Sequence, residues 1–107
     1  MKINFISKNA TKYLTTREKI QMILRLVRNN VMIVLEEGLS PEEQLELLKE
    51  TMREIDPLKF VGVDIISFNG PNRLYSRESV TSLTIIAPGG RIEIVKRTPN
   101  QLSVQLL

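Results

Sequence analysis

The sequence predicts an α+β fold, a two-layer α/β sandwich with a β-α-β-α-β core followed by antiparallel strands. Three observations carry that expectation. Residues 31–35, VMIVL, form an unbroken apolar run bounded by turn residues, the pattern of a short strand buried on both faces. Two capping boxes, Thr15 with Glu18 and Ser40 with Glu43, each open a helix. Alternating segments at 60–68, 81–87 and 102–106 supply the remaining strands. At 107 residues the chain is long enough for one core without disulfides or metal, so one domain is expected over 1–107.

Taken in order, Lys2 to Ser7 alternate as a first strand, and Lys8 to Leu14 read as a polar connector. The first helix then carries Ile20, Ile23, Leu24 and Val27 on one face, broadened by Met22 and Leu26, and stops at Asn29-Asn30. After the Val31–Leu35 strand, Ser40 caps the second helix with Pro41 at its first position. Leu45, Leu48, Met52 and Ile55 step by three, four and three and are expected to be its core stripe. Pro57 ends it. In the third strand Val61, Val63 and Ile65 alternate with Phe60, Asp64, Ile66 and Phe68. Asn69-Gly70-Pro71-Asn72 then opens a long hairpin loop continuing through Arg73 to Glu78. The segment RIEIVKR, 91–97, favours a strand by propensity, with a short third helix near 90–98 as the alternative.

Composition excludes several chemistries. Without cysteine or histidine there is no thiol nucleophile, disulfide, ordinary zinc site or imidazole base. MKINFISKNATKY lacks the apolar core of a signal peptide, and no apolar run approaches the ~20 residues of a membrane span, so a soluble cytoplasmic protein with no membrane contact is expected. The net charge of +3 is distributed unevenly. Residues 1–35 hold seven Lys/Arg against one Glu, residues 36–68 three against nine acids, and residues 69–107 five against two.

The segments KINFISK, Glu18-Lys19-Ile20, LEEGLSPEEQ, TMREID, GVDIISF and TIIAP together cover most of the chain. Through them the sequence resembles a small uncharacterised archaeal family catalogued as a domain of unknown function. These motifs mark strand ends, caps and core stripes, and the resemblance implies no catalytic residue. It implies a helix after Pro88, where this chain's RIEIVKR reads as extended.

Four constellations remain. Arg17, Gln21, Arg25 and Arg28 line one edge of the first helix and could hold phosphates, RNA above all. Alternatively, they pair with the acidic row Glu42, Glu46 and Glu50 on a neighbouring second helix. Aromatic residues are few and scattered, so RNA binding would be backbone-dominated. Glu36, Glu37 and Asp64 are the one carboxylate cluster with oxygen ligands for magnesium or calcium; solvated turn residues are the plainer reading. Pro88-Gly89-Gly90-Arg91 could offer N–H groups to an anion, but it lacks phosphate-loop spacing and reads as a turn. Finally, Phe60, Ile66, Phe68 and Ile86 are expected to point away from the helices and leave an apolar sheet face open, as at a homodimer or partner interface. The sequence therefore predicts a non-enzymatic binding or adaptor domain. It would act through self-association or a protein partner, with no cofactor and no small-molecule substrate, and with RNA binding through Arg17, Arg25 and Arg28 as the alternative.

Overall fold

The central strand is where the architecture starts, because a run of five apolar residues can be satisfied only with a layer on each side. The structure, a computed structural model, describes residues 1–69 and 82–107. Its elements are β1 (Lys2–Ile6), α1 (Lys8–Thr11), α2 (Thr16–Arg28), β2 (Val31–Leu35), α3 (Pro41–Glu54), β3 (Val63–Asn69), β4 (Ser82–Pro88), β5 (Ile92–Thr98) and β6 (Gln101–Leu106). The expected loop at 70–78, with Arg73 and Tyr75, lies outside the described residues.

Four strands form one sheet in the order β1-β2-β4-β3. β1 runs parallel to β2 across the α2 crossover, and β4 inserts antiparallel between β2 and β3. The fold is therefore α+β, with a β-α-β-α-β core followed by antiparallel strands. Residues 92–98 are a strand, not the alternative helix, because β5 pairs with β6 through a hairpin carrying a bulge between Ile94 and Lys96.

Both helix starts form as their sequence signatures require. Thr15 and Ser40 each accept a bond from the third helical N–H, and Glu18 and Glu43 each return one to the cap's own N–H. Such caps contribute about 1 kcal/mol apiece. Asn30 closes α2 in the left-handed conformation, φ 61°. The polar connector contains the single-turn helix α1, whose first N–H, at Lys8, donates to the Glu36 carboxylate.

On one side of the sheet, Ile20, Ile23, Leu24 and Val27 of α2 pack with Val31, Ile33 and Leu35 of β2, Ile86 of β4, and Leu39, Leu47 and Phe60. The opposite side is covered as well. The β5–β6 hairpin lies over it, and Ile92 joins Met32, Ile66, Ile85 and Ala87 in a second buried cluster, flanked by Val34, Leu83, Leu102 and Val104. Each fully buried aliphatic side chain contributes about 1.5–3 kcal/mol.

Candidate functional site

The open apolar sheet face expected from the sequence is not open. Ile86 and Phe60 belong to the helix-side core, Ile66 is buried under the hairpin, and Phe68 is half-buried. Two local features cause the difference. The ladder sets Ile86 opposite Ile65 and Ile33, and opposed residues share a face, so Ile86 points at the helices. Leu83, Ile85 and Ala87 take the other side. Phe60 precedes β3 proper, in a turn closed by a bridge to Asp56. Gly62, at φ 114°, then breaks the alternation that would have sent Phe60 away from the helices. Its ring instead meets the guanidinium of Arg28 at 6.0 Å.

The carboxylates do not assemble. β2 and β3 run in the same direction, so Glu36 after the end of β2 and Asp64 at the start of β3 lie at opposite ends of the sheet. Asp64 accepts a bond from the Gly90 N–H at 3.0 Å, and Glu36 is held by Lys8. Among the described residues no group of three acids could hold a metal ion. The 88–91 segment is the turn into β5. Its N–H groups are occupied, at Gly89 by the Gly62 carbonyl and at Gly90 by Asp64, while Arg91 reaches Asn30 at 3.3 Å.

The two helices do set opposite charges against each other, but through other residues than expected. Lys19, almost buried, holds Glu43 at 2.7 Å, and Arg28 holds Glu54 at 3.0 Å. Burial opposes ionisation of Glu43. The Lys19 hydrogen bond and the Ser40 N–H outweigh it and set its pKa below the usual glutamate value. Glu18 is also lowered, chiefly by the backbone N–H of Thr15. Glu46 and Glu50 pair along their own helix with Lys49 and Arg53. Arg17 faces Glu46 and Glu50 across a cleft of about 500 Å³, and among the described residues it makes no ion pair with either. Arg25 likewise has no ion-pair partner there. It lines a cleft of about 460 Å³ with Arg28, Lys59, Glu54 and Phe60.

The feature that sequence reasoning misplaced is the outer face of α3. The row Leu45, Leu48, Met52 and Ile55 does not enter the core; these residues are 53%, 44%, 74% and 49% exposed. Leu47, at 0%, and Thr51 are the buried residues of this helix. Directional contacts account for the rotation. Glu43 is tied to Lys19, and Glu54 to Arg28. Gln44 donates to Ser67 on β3 at 3.2 Å and to the Leu39 carbonyl, while the Leu39 N–H donates to the buried Thr84 hydroxyl. Residues 43, 44, 47, 51 and 54 share one side of a helix, which leaves the 45-48-52-55 row turned outward. Leu58 and Val61, also exposed, lie in the turn before β3, where they line a separate cleft with Arg28, Asn30 and Arg91. The 45-48-52-55 row is thus an exposed apolar surface that offers no acid–base or metal-ligating group. A smaller apolar exposure, Ile3 and Phe5 of the edge strand β1, lies on the hairpin side of the sheet.

No described helix is long and apolar enough to cross a membrane. Neither the curated proteins nor the solved structures contain a match to this chain. The family model described as origin-associated protein OapB matches residues 11–107, which leaves β1 outside the matched region. With all but the first ten residues matched, the chain belongs to the origin-associated protein OapB family.

Proposed function

We propose that this chain is a non-enzymatic, cytoplasmic binding domain that docks a protein surface through the outer face of α3. One observation carries the reading: three large apolar side chains, Leu45, Leu48 and Met52, stand in a single row on a well-anchored helix, Ile55 follows at its C-terminal cap, and each is about half exposed or more. Scattered exposed apolar residues need no explanation, but several large ones in one row along a helix do. The anchoring of α3 by Lys19, Thr84, Ser67 and Arg28 supports the same reading, because a rigid helix loses little entropy when it is bound. The test is a photocrosslinker placed at position 52 in the source cells. A discrete adduct is expected from position 52, none from the exposed position 13, and loss of the adduct on Leu48→Glu. No adduct at position 52 removes the proposal.

A second reading, phosphate-backbone binding to RNA, is favoured by the cleft that gathers Arg25, Arg28 and Lys59 around one carboxylate, Glu54, with Arg17 exposed nearby on α2. Fluorescence anisotropy with a single-stranded RNA oligonucleotide tests it. Affinity should fall steeply with salt, and Arg17→Ala with Arg25→Ala should flatten that slope by about two phosphate contacts. Absence of binding at low salt ends this reading.

A further inference from the structure

We infer that the cleft where the end of α2 meets the turns before β3 and β5 is a binding site for a phosphate ester, held by Arg28, Lys59 and Arg91. This site is independent of the protein-docking face. It shares Arg28 and Lys59 with the RNA reading and adds Arg91, which that reading does not use. Charge gives the first argument. The cleft has a volume of about 390 Å³, and none of the residues lining it is acidic. Its three cations come from three separate segments, α2, the turn before β3 and the turn before β5. A row of charge along one helix is an ordinary solvated face, but cations drawn together from three segments form a basin for an anion. Glu54 lines the adjoining cleft and pairs with Arg28, while Lys59 and Arg91 have no ion-pair partner among the described residues.

Order gives the second argument. The Arg91 guanidinium donates to the Asn30 side-chain oxygen at 3.3 Å, and Arg28 is fixed by Glu54 and by the Phe60 ring. The Gly89 N–H donates to the Gly62 carbonyl at 2.9 Å and ties the two turns together. Guanidinium groups held in this way lose little freedom on binding, and each keeps further N–H donors for a pair of phosphate oxygens. The carbonyl end of α2 opposes an anion with about half a negative charge. Its carbonyls are already capped, Leu26 and Val27 by the N–H groups of Asn29 and Asn30, and Arg25 by the Asn29 side-chain amide. Three full cations outweigh what is left.

The third argument is the wall. Leu58 and Val61 line the same cleft and are 94% and 64% exposed. A bare inorganic ion leaves them in water, whereas a phosphate carrying a sugar and base can cover them. The volume falls within the ~300–1,000 Å³ of small-ligand sites. A nucleotide, free or within a strand, is the phosphate ester that fits.

Calorimetric titration of the purified full chain with AMP, inorganic phosphate and a single-stranded RNA oligonucleotide, at low salt, tests the inference. AMP should bind more tightly than inorganic phosphate. Arg91→Gln and Lys59→Gln should each weaken AMP or RNA binding by ~10-fold or more, the worth of one charge-assisted hydrogen bond. Both side chains are exposed, so circular dichroism should be unchanged. Lys96→Gln removes the same charge from β5, outside the cleft, and should leave affinity as it was. Glu54→Gln should tighten binding by ending the competition for Arg28. AMP binding lost with Arg91 assigns the site to free nucleotides; RNA binding weakened by Arg91→Gln, without AMP binding, puts the phosphate on a strand. No binding of either probe, or equal losses in Arg91→Gln and Lys96→Gln, overturns the site. Inorganic phosphate bound as tightly as AMP overturns the part given to Leu58 and Val61. RNA binding that needs Arg17 and Arg25 but not Arg91 overturns the site and leaves the RNA reading standing. AMP binding without RNA binding does the reverse.

Discussion

Leu47→Ala and Met52→Ala form a paired test of how α3 is turned. Leu47 is fully buried between α2 and the sheet. Truncation to Ala removes three carbon atoms, about 2.4 kcal/mol at ~0.8 kcal/mol per buried methylene. The residual cavity adds to this and brings the cost to about 3 kcal/mol, within the range for buried Leu→Ala changes. Ala's better helix propensity returns only a few tenths of that, about 0.2 kcal/mol. Met52 has little packing to lose, so its substitution should cost under ~0.5 kcal/mol. Urea unfolding followed by circular dichroism, at an unchanged m-value and in dilute solution where association does not contribute, reads both numbers. Thermal unfolding should show the same contrast, with a fall of ~10–20 °C for Leu47→Ala and almost none for Met52→Ala. If Met52→Ala proves the costlier of the two, α3 is rotated with its apolar row inward, and the docking surface does not exist.

Two further outcomes follow from the packing and the charges. Glu43 has a folded pKa below its unfolded one. Its contribution is therefore fully present above the ordinary glutamate range, near pH ~4.3, and is lost as pH falls through the lowered folded value. A stability–pH titration should show that loss in the wild type, and Glu43→Gln should flatten it. Ile92→Ala should cost about 2 kcal/mol by opening the second cluster. Hydrogen exchange should then quicken in β5 and β6 while the amides of α2 and β2 keep their protection.

Much of the fold was legible because its signals are local. Capping boxes, the Asn30 stop, the VMIVL strand and the strand propensity of RIEIVKR each depend on a few adjacent residues, and each formed. Orientation depends on distant partners and was harder to read. Which side Ile86 faces is decided by its register against Ile33 and Ile65, and a shift of one residue reverses it. The rotation of α3 is decided by Lys19, Thr84, Ser67 and Arg28, all remote in sequence from that helix. One signal was present and misread. A strict 3-4-3 row is narrower than the face a helix turns to a sheet, and that narrowness set Leu45, Leu48, Met52 and Ile55 apart from a core stripe. The hairpin over the far side of the sheet was legible as two strands. Its docking on Ile66, Ile85 and Met32 was not, because the alternation in β5 and β6 does not say which sheet face they will cover.

To dock a partner, the outer row of α3 must be accessible in the isolated chain and covered in its working state. The chain has no cysteine, so single substitutions give clean probes. Maleimide labelling of Met52→Cys and Leu48→Cys in dilute purified protein should be fast, and Leu47→Cys should resist until unfolding. In the source cells the first two should be protected. Equal labelling of Met52→Cys in both settings would mean that nothing covers the row, and equal labelling of Leu47→Cys and Met52→Cys in dilute solution would mean that α3 is not turned as described.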